Sequence, residues 1–257
     1  MSAYGPSPPR HGPLLPSKHF TLLPKSTSFT ASPGTALTAS VAPRVASPPA
    51  SSLSVHHLTS ATIPPSLADH LYVQFQAELE RGNTYPQEYP MTRTAFDAYF
   101  LGNDVFVGVV QFPNYIAVDC TLNEARGDRE WEQCVGGAYY IKPNYPGRSS
   151  HICNAGFFVI PQFRGIGIAT ALAQSYLKYA PRLGYKASVF NLVYVNNVAS
   201  VRIWDRLGFN KVGRLPCAGR LKRRAEEGGG EEYVDAWVMY KSFEGDDGDS
   251  NVLDVPP

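Results

Sequence analysis

The run VIPQFRGIGIATALAQSYL, Val159 to Leu177, carries residue types that can hold an anion. A β-rich stretch ends near Ile160, Arg164, Gly165 and Gly167 follow, and an amphipathic helix begins, with no acidic residue anywhere in the run. The first amides of a helix lack intrahelical partners, and the helix dipole adds partial positive charge there. Glycines let a main chain approach an anion closely, and an arginine adds a fork of donors. A strand feeding such a turn suits a pyrophosphate. The same glycines would serve an ordinary tight strand-to-helix connection, and these residues alone leave both readings open. The run has neither the GK[ST] ending of a Walker loop nor the third glycine of a dinucleotide fingerprint.

Two asparagines form the second candidate group. Asn154 and Asn191 sit inside the apolar runs HICNAGFFVI and SVFNLVYV. Asparagine is disfavoured in strands, and a buried amide left unpaired costs about 1–3 kcal/mol. Neutral amides in a cleft can orient an uncharged amine and grip a carboxylate. They can also satisfy main-chain groups where strands diverge. Asn197, like Asn196 beside it, is placed to cap the helix that reaches Leu207, or to serve the same cleft. No Asp or Glu occurs between Val135 and Arg202, so no carboxylate base is visible there. His151 is the titratable candidate in that span. At the start of a strand it reads equally as a surface residue and is not assigned the role. Proton removal is expected through water and main chain held by asparagine. Cys153 would be the nucleophile of a two-step scheme, but no base adjoins it in sequence, and it reads as a buried thiol.

The elements that must position these residues follow an α/β order. Residues 66–82 place Leu67, Leu71, Phe75 and Leu79 at helical spacing before Gly82. TRTAFDAYFL predicts a short helix behind a Thr cap, and 104–112, 135–144 and 151–161 predict strands. Residues 113–133 read as a charged hairpin or loop. A helix over 164–184, a strand over 187–195, a helix over 197–208 and strands from 209 and 233 complete the order. Among 257 residues, 44% are hydrophobic, and the formal charge is +1, which points to neither nucleic acid nor an acidic membrane. No apolar run reaches the ~18 residues of a membrane helix. Four scattered cysteines read as reduced thiols in an intracellular protein and argue against structural zinc, so no metal is expected. Residues 1–68 lack Asp and Glu and are rich in Pro, Ser, Thr and Ala. They read as a disordered tail or, less simply because of the early prolines, a mitochondrial presequence. Phe20, Leu22 and Phe29 allow an edge strand near 19–31. The acidic end, 242–257, reads as solvated.

Gln162-x-Arg164-Gly165-x-Gly167-x-Ala169, a strand, and then NNVASVRIWDRLGF at 196–209 resemble the coenzyme core of the GCN5-related N-acetyltransferases (GNAT) over roughly 135–240. GNTYPQ (82–87), YYIKPNYPGRSSHICNAGF (139–157), the run 183–209 and VGRLPCAGRL (212–221) are similar to the fungal azetidine-2-carboxylate N-acetyltransferases, which act on proline analogues. The resemblance implies a GNAT domain at 63–241, with a mixed twisted sheet, splayed central strands and flanking helices. It implies acetyl-CoA as cofactor and direct transfer to a small amino or imino acid. It assigns main-chain groups of Phe158, Val159 and Ile160 to the pantetheine arm. The amides of Arg164, Gly165, Ile166, Gly167, Ile168 and Ala169 go to the pyrophosphate. Asn154 and Asn191 go to catalysis and substrate, and Asn197 to substrate and coenzyme. Trp204 stands where many members carry a proton-donating Tyr, a role indole cannot fill. A homodimer and a cytoplasmic or mitochondrial location are further expectations. Acetylation of a protein or peptide, or an acyl-CoA sensor without turnover, remain as alternatives. The acid-free span 135–202 speaks against a cationic peptide lysine.

Overall fold

The structure is a computed structural model that describes residues 12–22, 52–111, 119–223 and 228–244. In chain order these form β1 (Lys18–Thr21), β2 (Ser52–Leu58), α1 (Pro65–Arg81), α2 (Arg93–Phe96), β3 (Asp104–Gln111), α3 (Leu122–Arg126) and α4 (Trp131–Cys134). β4 (Val135–Pro143), β5 (Ile152–Val159), α5 (Ile168–Arg182), β6 (Ala187–Tyr194), α6 (Val198–Arg206), β7 (Asn210–Lys222) and β8 (Glu231–Ser242) follow. The eight strands make one sheet in the order β1-β2-β3-β4-β5-β6-β8-β7. Every neighbouring pair is antiparallel except β5 and β6.

α1 forms where the apolar spacing demands it, with Leu67, Leu71, Phe75 and Leu79 all buried. Pro65 opens the helix, and Gly82, at φ 63°, closes it by donating its N–H to Leu79. The Thr92 side chain caps α2 by accepting from Ala95 N–H, as the sequence suggested. That helix runs on into a π-helical turn, Asp97–Leu101. Strand alternation sorts the two cores. Tyr140 and Phe158 face α1 and the π turn, whereas Tyr139, Ile141 and Cys153 face α5.

Three expectations change. The sheet begins well before residue 63: β2 is a fully buried strand, and β1 pairs with it at the edge. β2 hides in the tail because Ser54, His56 and His57 break its apolar pattern. Ser54 and His57 find distant partners instead, and His56 bonds Ser54 Oγ through its Nε2 at 3.0 Å. Ser54 Oγ donates to Val109 O, and Gln111 Nε2 donates to Ser54 Oγ. His57 accepts at Nδ1 from Leu15 N–H and donates from Nε2 to Asp104 at 2.7 Å. The segment 113–133, expected as hairpin or loop, carries α3 and the start of α4 in its described part from 119, the first closed by a Thr121–Glu124 capping box. The edge strand expected near 19–31 is four residues, Lys18–Thr21. Phe29, the rest of the proposed tail (1–11 and 23–51) and the acidic end beyond 244 lie outside the described residues.

Candidate active site

β5 and β6 touch at only two pairs, Ile152–Ala187 and Cys153–Ser188, and then part. Tyr176 of α5 pins the closed end: its hydroxyl lies 3.0 Å from Cys153 Sγ and donates to Ser188 Oγ at 2.6 Å. Trp204 of α6 wedges the open end. Its ring lies 5.2 Å from Phe157 of β5 and 4.5 Å from Phe190 of β6. Its indole N–H donates to Ser200 Oγ, so it acts as packing and not as an acid.

Register decides which main-chain groups look into the gap. Asn144 N–H bonds Ile152 O, and Ile160 N–H bonds Gly136 O, so even-numbered residues of β5 bond β4. The odd-numbered Ala155, Phe157 and Val159 then turn their amides toward β6. Two of their carbonyls are already taken: Tyr85 Oη donates to Phe157 O at 2.9 Å, and Arg164 Nε to Val159 O at 3.2 Å. Of the three positions expected to meet pantetheine, Val159 keeps its amide open to the gap. Ile160 does not, because its N–H goes to Gly136 and its carbonyl accepts from Phe163 N–H. Phe158 stands opposite Ala138, with its main chain on the β4 side.

The turn into α5 fits an anion. Gly165 and Gly167 hold φ of 86° and 93°, where an L side chain is strained. A Cβ at Gly165 would meet nothing within 4 Å, so the space above it is open. α5 has no side-chain cap and no acid in its first turn. Its first helical bond is Ala171 N–H to Gly167 O, so the amides of Ile168, Ala169 and Thr170 precede the ladder. Ile168 is buried and anchors the turn, while Ala169 is exposed. The Arg164 side chain is less available than its type suggests. Its guanidinium is bound at 3.0 Å to Glu78, a buried carboxylate that also pairs with Arg81 and accepts from Thr84 Oγ1. Composition could not show this acid at the site, because α1 delivers it from 86 residues away.

Asn154 and Asn191 flank the gap. Asn154 is the first residue past the last β5–β6 pair, half-buried on the α1 face. Asn191 lies where β6 loses register with β8, between Phe190 and Val193. The two carboxamides of Asn191 and Asn144 bond reciprocally, at 2.7 and 3.2 Å. Each keeps one N–H and one oxygen lone pair to spend. Asn144, just past β4, reads from sequence as an ordinary turn residue. Asn197 is not brought to this group: its Oδ1 accepts from Ser200 N–H, so capping accounts for it. His151 is exposed and bonded to Arg148 O. Cys153 is fully buried, and desolvation pushes its thiol up to about 12, so it is no nucleophile at neutral pH.

Splayed strands, a glycine turn and an uncapped helix together form the architecture of one fold. The GCN5-related N-acetyltransferase from Kribbella flavida superposes with a TM-score of 0.57 at 22% identity, over 73% of this chain and 97% of that one. A GNAT superfamily phosphinothricin acetyltransferase from Sinorhizobium meliloti, determined with acetyl-CoA, gives 0.54 at 15% identity, over 74% and 88%. Residues 88–209 match the pattern of the Acetyltransferase (GNAT) family. The N-acetyltransferase aca1 of Schizosaccharomyces pombe is 44% identical over 166 residues, 65% of this chain and 75% of that one. The chain belongs to the GNAT family. As a GNAT enzyme it is an acetyl-CoA-dependent N-acetyltransferase. Among the described residues of this GNAT chain no helix is long and apolar enough to cross a membrane. No cluster of His, Cys, Asp or Glu there could hold a metal.

Proposed function

We propose that this acetyltransferase acts on a small amino or imino acid of the proline-analogue kind, by direct transfer with both reactants bound. The observation that carries this reading is the acceptor side of the gap. It presents the neutral carboxamides of Asn154 and of the Asn144–Asn191 pair, with Tyr140 on the same face of the sheet as Asn154 and Tyr99 bonded to Tyr140. Neutral amides suit an amine that must react uncharged and a carboxylate that must be held. The one buried acid nearby, Glu78, is neutralised by two arginines, so it offers little to a cationic lysine side chain.

Acetyl-CoA supplies the acetyl group as a thioester. The amides of the turn from Gly165 to Ala169 hold its diphosphate, and Arg164 contributes chiefly through its main chain. The amides of Phe157 and Val159 hold the pantetheine arm as a partial extra strand, and one of them polarises the thioester carbonyl. Asn154 and Asn191 orient the amine for attack, the coenzyme leaves as its thiolate, and the amine proton passes to water, since among the described residues no carboxylate or imidazole is placed to take it. Thiol release measured against azetidine-2-carboxylate, proline, polyamines and a lysine peptide tests the reading. Turnover of the imino acids is expected. Turnover of the peptide alone, or tight coenzyme binding with no turnover, refutes it.

A further inference from the structure

Lys142 lies near the end of β4, directly opposite Asn154 and therefore on the same face of the sheet. Its Nζ sits 4.3 Å from the ring centroid of Tyr99 and 4.5 Å from that of Tyr140. Tyr99 comes from the π-helical turn, and its hydroxyl meets that of Tyr140 at 2.9 Å. Tyr85, from the loop after α1, closes the recess with its bond to Phe157 O. Gln87 binds the Tyr99 hydroxyl and leaves its own Oε1 buried without a partner among the described residues.

A half-buried ammonium between aromatic rings needs an anion, and the described residues supply none. Among the described residues, no salt bridge is made by Lys142. Asp104, in the neighbouring strand, stands opposite Ile141 and is bound to His57 on the other face. Burial alone pulls the Lys142 pKa down, to about 8. The titratable groups facing it are the phenols of Tyr85, Tyr99 and Tyr140, whose pKa values burial raises, so they stay neutral. Cation–π contact compensates the charge only in part. If the lysine were merely a brace between two rings, an apolar chain would do as well without the desolvation cost. Lys142 stands one strand from the gap, about 4.8 Å in a sheet. That distance suits an acceptor that carries an anion a few bonds from its reacting nitrogen.

We propose that Lys142 is the specificity-determining residue of this enzyme, binding the carboxylate of the acceptor in the tyrosine recess while the asparagines hold the nitrogen. The proposal rests on the amino-acid reading above and names the feature of the substrate that the site selects. One of the two hydroxyl protons shared by Tyr99 and Tyr140 is left over to join the lysine as a donor to that carboxylate.

The test compares azetidine-2-carboxylate with its carboxamide. Wild-type protein should favour the acid by at least tenfold in kcat/KM. Lys142→Gln and Lys142→Met should bring that ratio within threefold of one, with acetyl-CoA Kd changed less than twofold. A second arm needs no variant. The free lysine is charged below about pH 8 and discharged above it. The acid-to-carboxamide ratio of wild type, corrected for the deprotonated fraction of each amine, should therefore fall as pH rises from 7 to 9.5. Should the variants fold poorly, this arm decides. A ratio that survives in Lys142→Gln, or is flat with pH in wild type, overturns the carboxylate anchor while imino-acid acetylation stands. Wild type that acetylates the lysine peptide and neither imino compound overturns the substrate reading itself, and the anchor with it.

Discussion

Gly156→Ala tests whether the recess is as tightly built as its geometry implies. Gly156 lies on β5 opposite Tyr140, and a Cβ there would come to 2.6 Å from Cε1 of that ring and 2.8 Å from both Cζ and Oη. Ordinary carbon contacts are about 3.5–4.0 Å, so the ring must retreat by about 1 Å. It has little room, being buried against Phe100 at 5.2 Å and Tyr99 at 5.4 Å and tied to the Tyr99 hydroxyl. Overpacking of this kind costs about 1–3 kcal/mol. The smaller unfolded-state entropy of alanine returns about 0.4–1 kcal/mol. The net loss centres on about 1–2 kcal/mol, which for a domain of this size lowers Tm by about 2–8 °C. A displaced Tyr140 also moves the wall of the acceptor side, so KM for the imino acid should rise severalfold while acetyl-CoA Kd stays within twofold. Differential scanning calorimetry and steady-state kinetics read both effects. Adding Tyr140→Leu should recover part of the stability, giving a coupling of about 1 kcal/mol between the two sites. Unchanged Tm and KM in Gly156→Ala, or strictly additive losses in the double variant, would refute the packing argument.

Asn191→Ala breaks the reciprocal amide pair with Asn144 at the gap. It should lower kcat about tenfold or more with acetyl-CoA Kd nearly unchanged, and an unaltered kcat sinks the orienting role. Removing residues 1–24 deletes β1 and the buried Phe20 and Leu22, together with the Leu15 bond to His57 and the Pro16 bond to Tyr179. At about 1.5–3 kcal/mol for each buried side chain, the loss approaches 3–6 kcal/mol, an upper figure; urea unfolding with an unshifted midpoint would contradict it. Cys153, held near 12 by burial, should resist iodoacetamide at pH 8 in the native protein. Alkylation at that site without unfolding would show an accessible thiolate.

Elements built from local pattern were legible in the sequence. α1 follows from Leu67, Leu71, Phe75 and Leu79, and the α2 cap follows from Thr92. The glycine turn was legible as a candidate, but its residues alone left an ordinary strand-to-helix connection equally open. What the sequence could not show depends on partners far along the chain. β2 looks polar until Asp104 and Gln111 arrive from 47 and 57 residues away to satisfy it. Glu78 reaches Arg164 only once α1 crosses the sheet face, which takes the arginine fork away from its expected duty. Strand periodicity marks Val159 and Ile160 as neighbours on a strand, but it does not say which of them turns its amide to β4. That is set by the register of β4 with β5. Lys142 went unnoticed because a lysine at a strand end is ordinarily solvated. Only the tyrosines delivered by the α1 loop and the π turn make its surroundings unusual.

The central claim is that the open amides at the start of α5 hold the diphosphate of acetyl-CoA and so place its thioester in the gap between β5 and β6. Isothermal titration of the purified full chain with acetyl-CoA tests it most directly, beside Gly165→Glu. That substitution puts a side chain at φ 86° and a negative charge into the open space above the turn. Micromolar binding by the wild type and a loss of at least a hundredfold in the variant are expected. A wild type that gives no heat, or a Gly165→Glu protein that binds within threefold of it, would contradict the account.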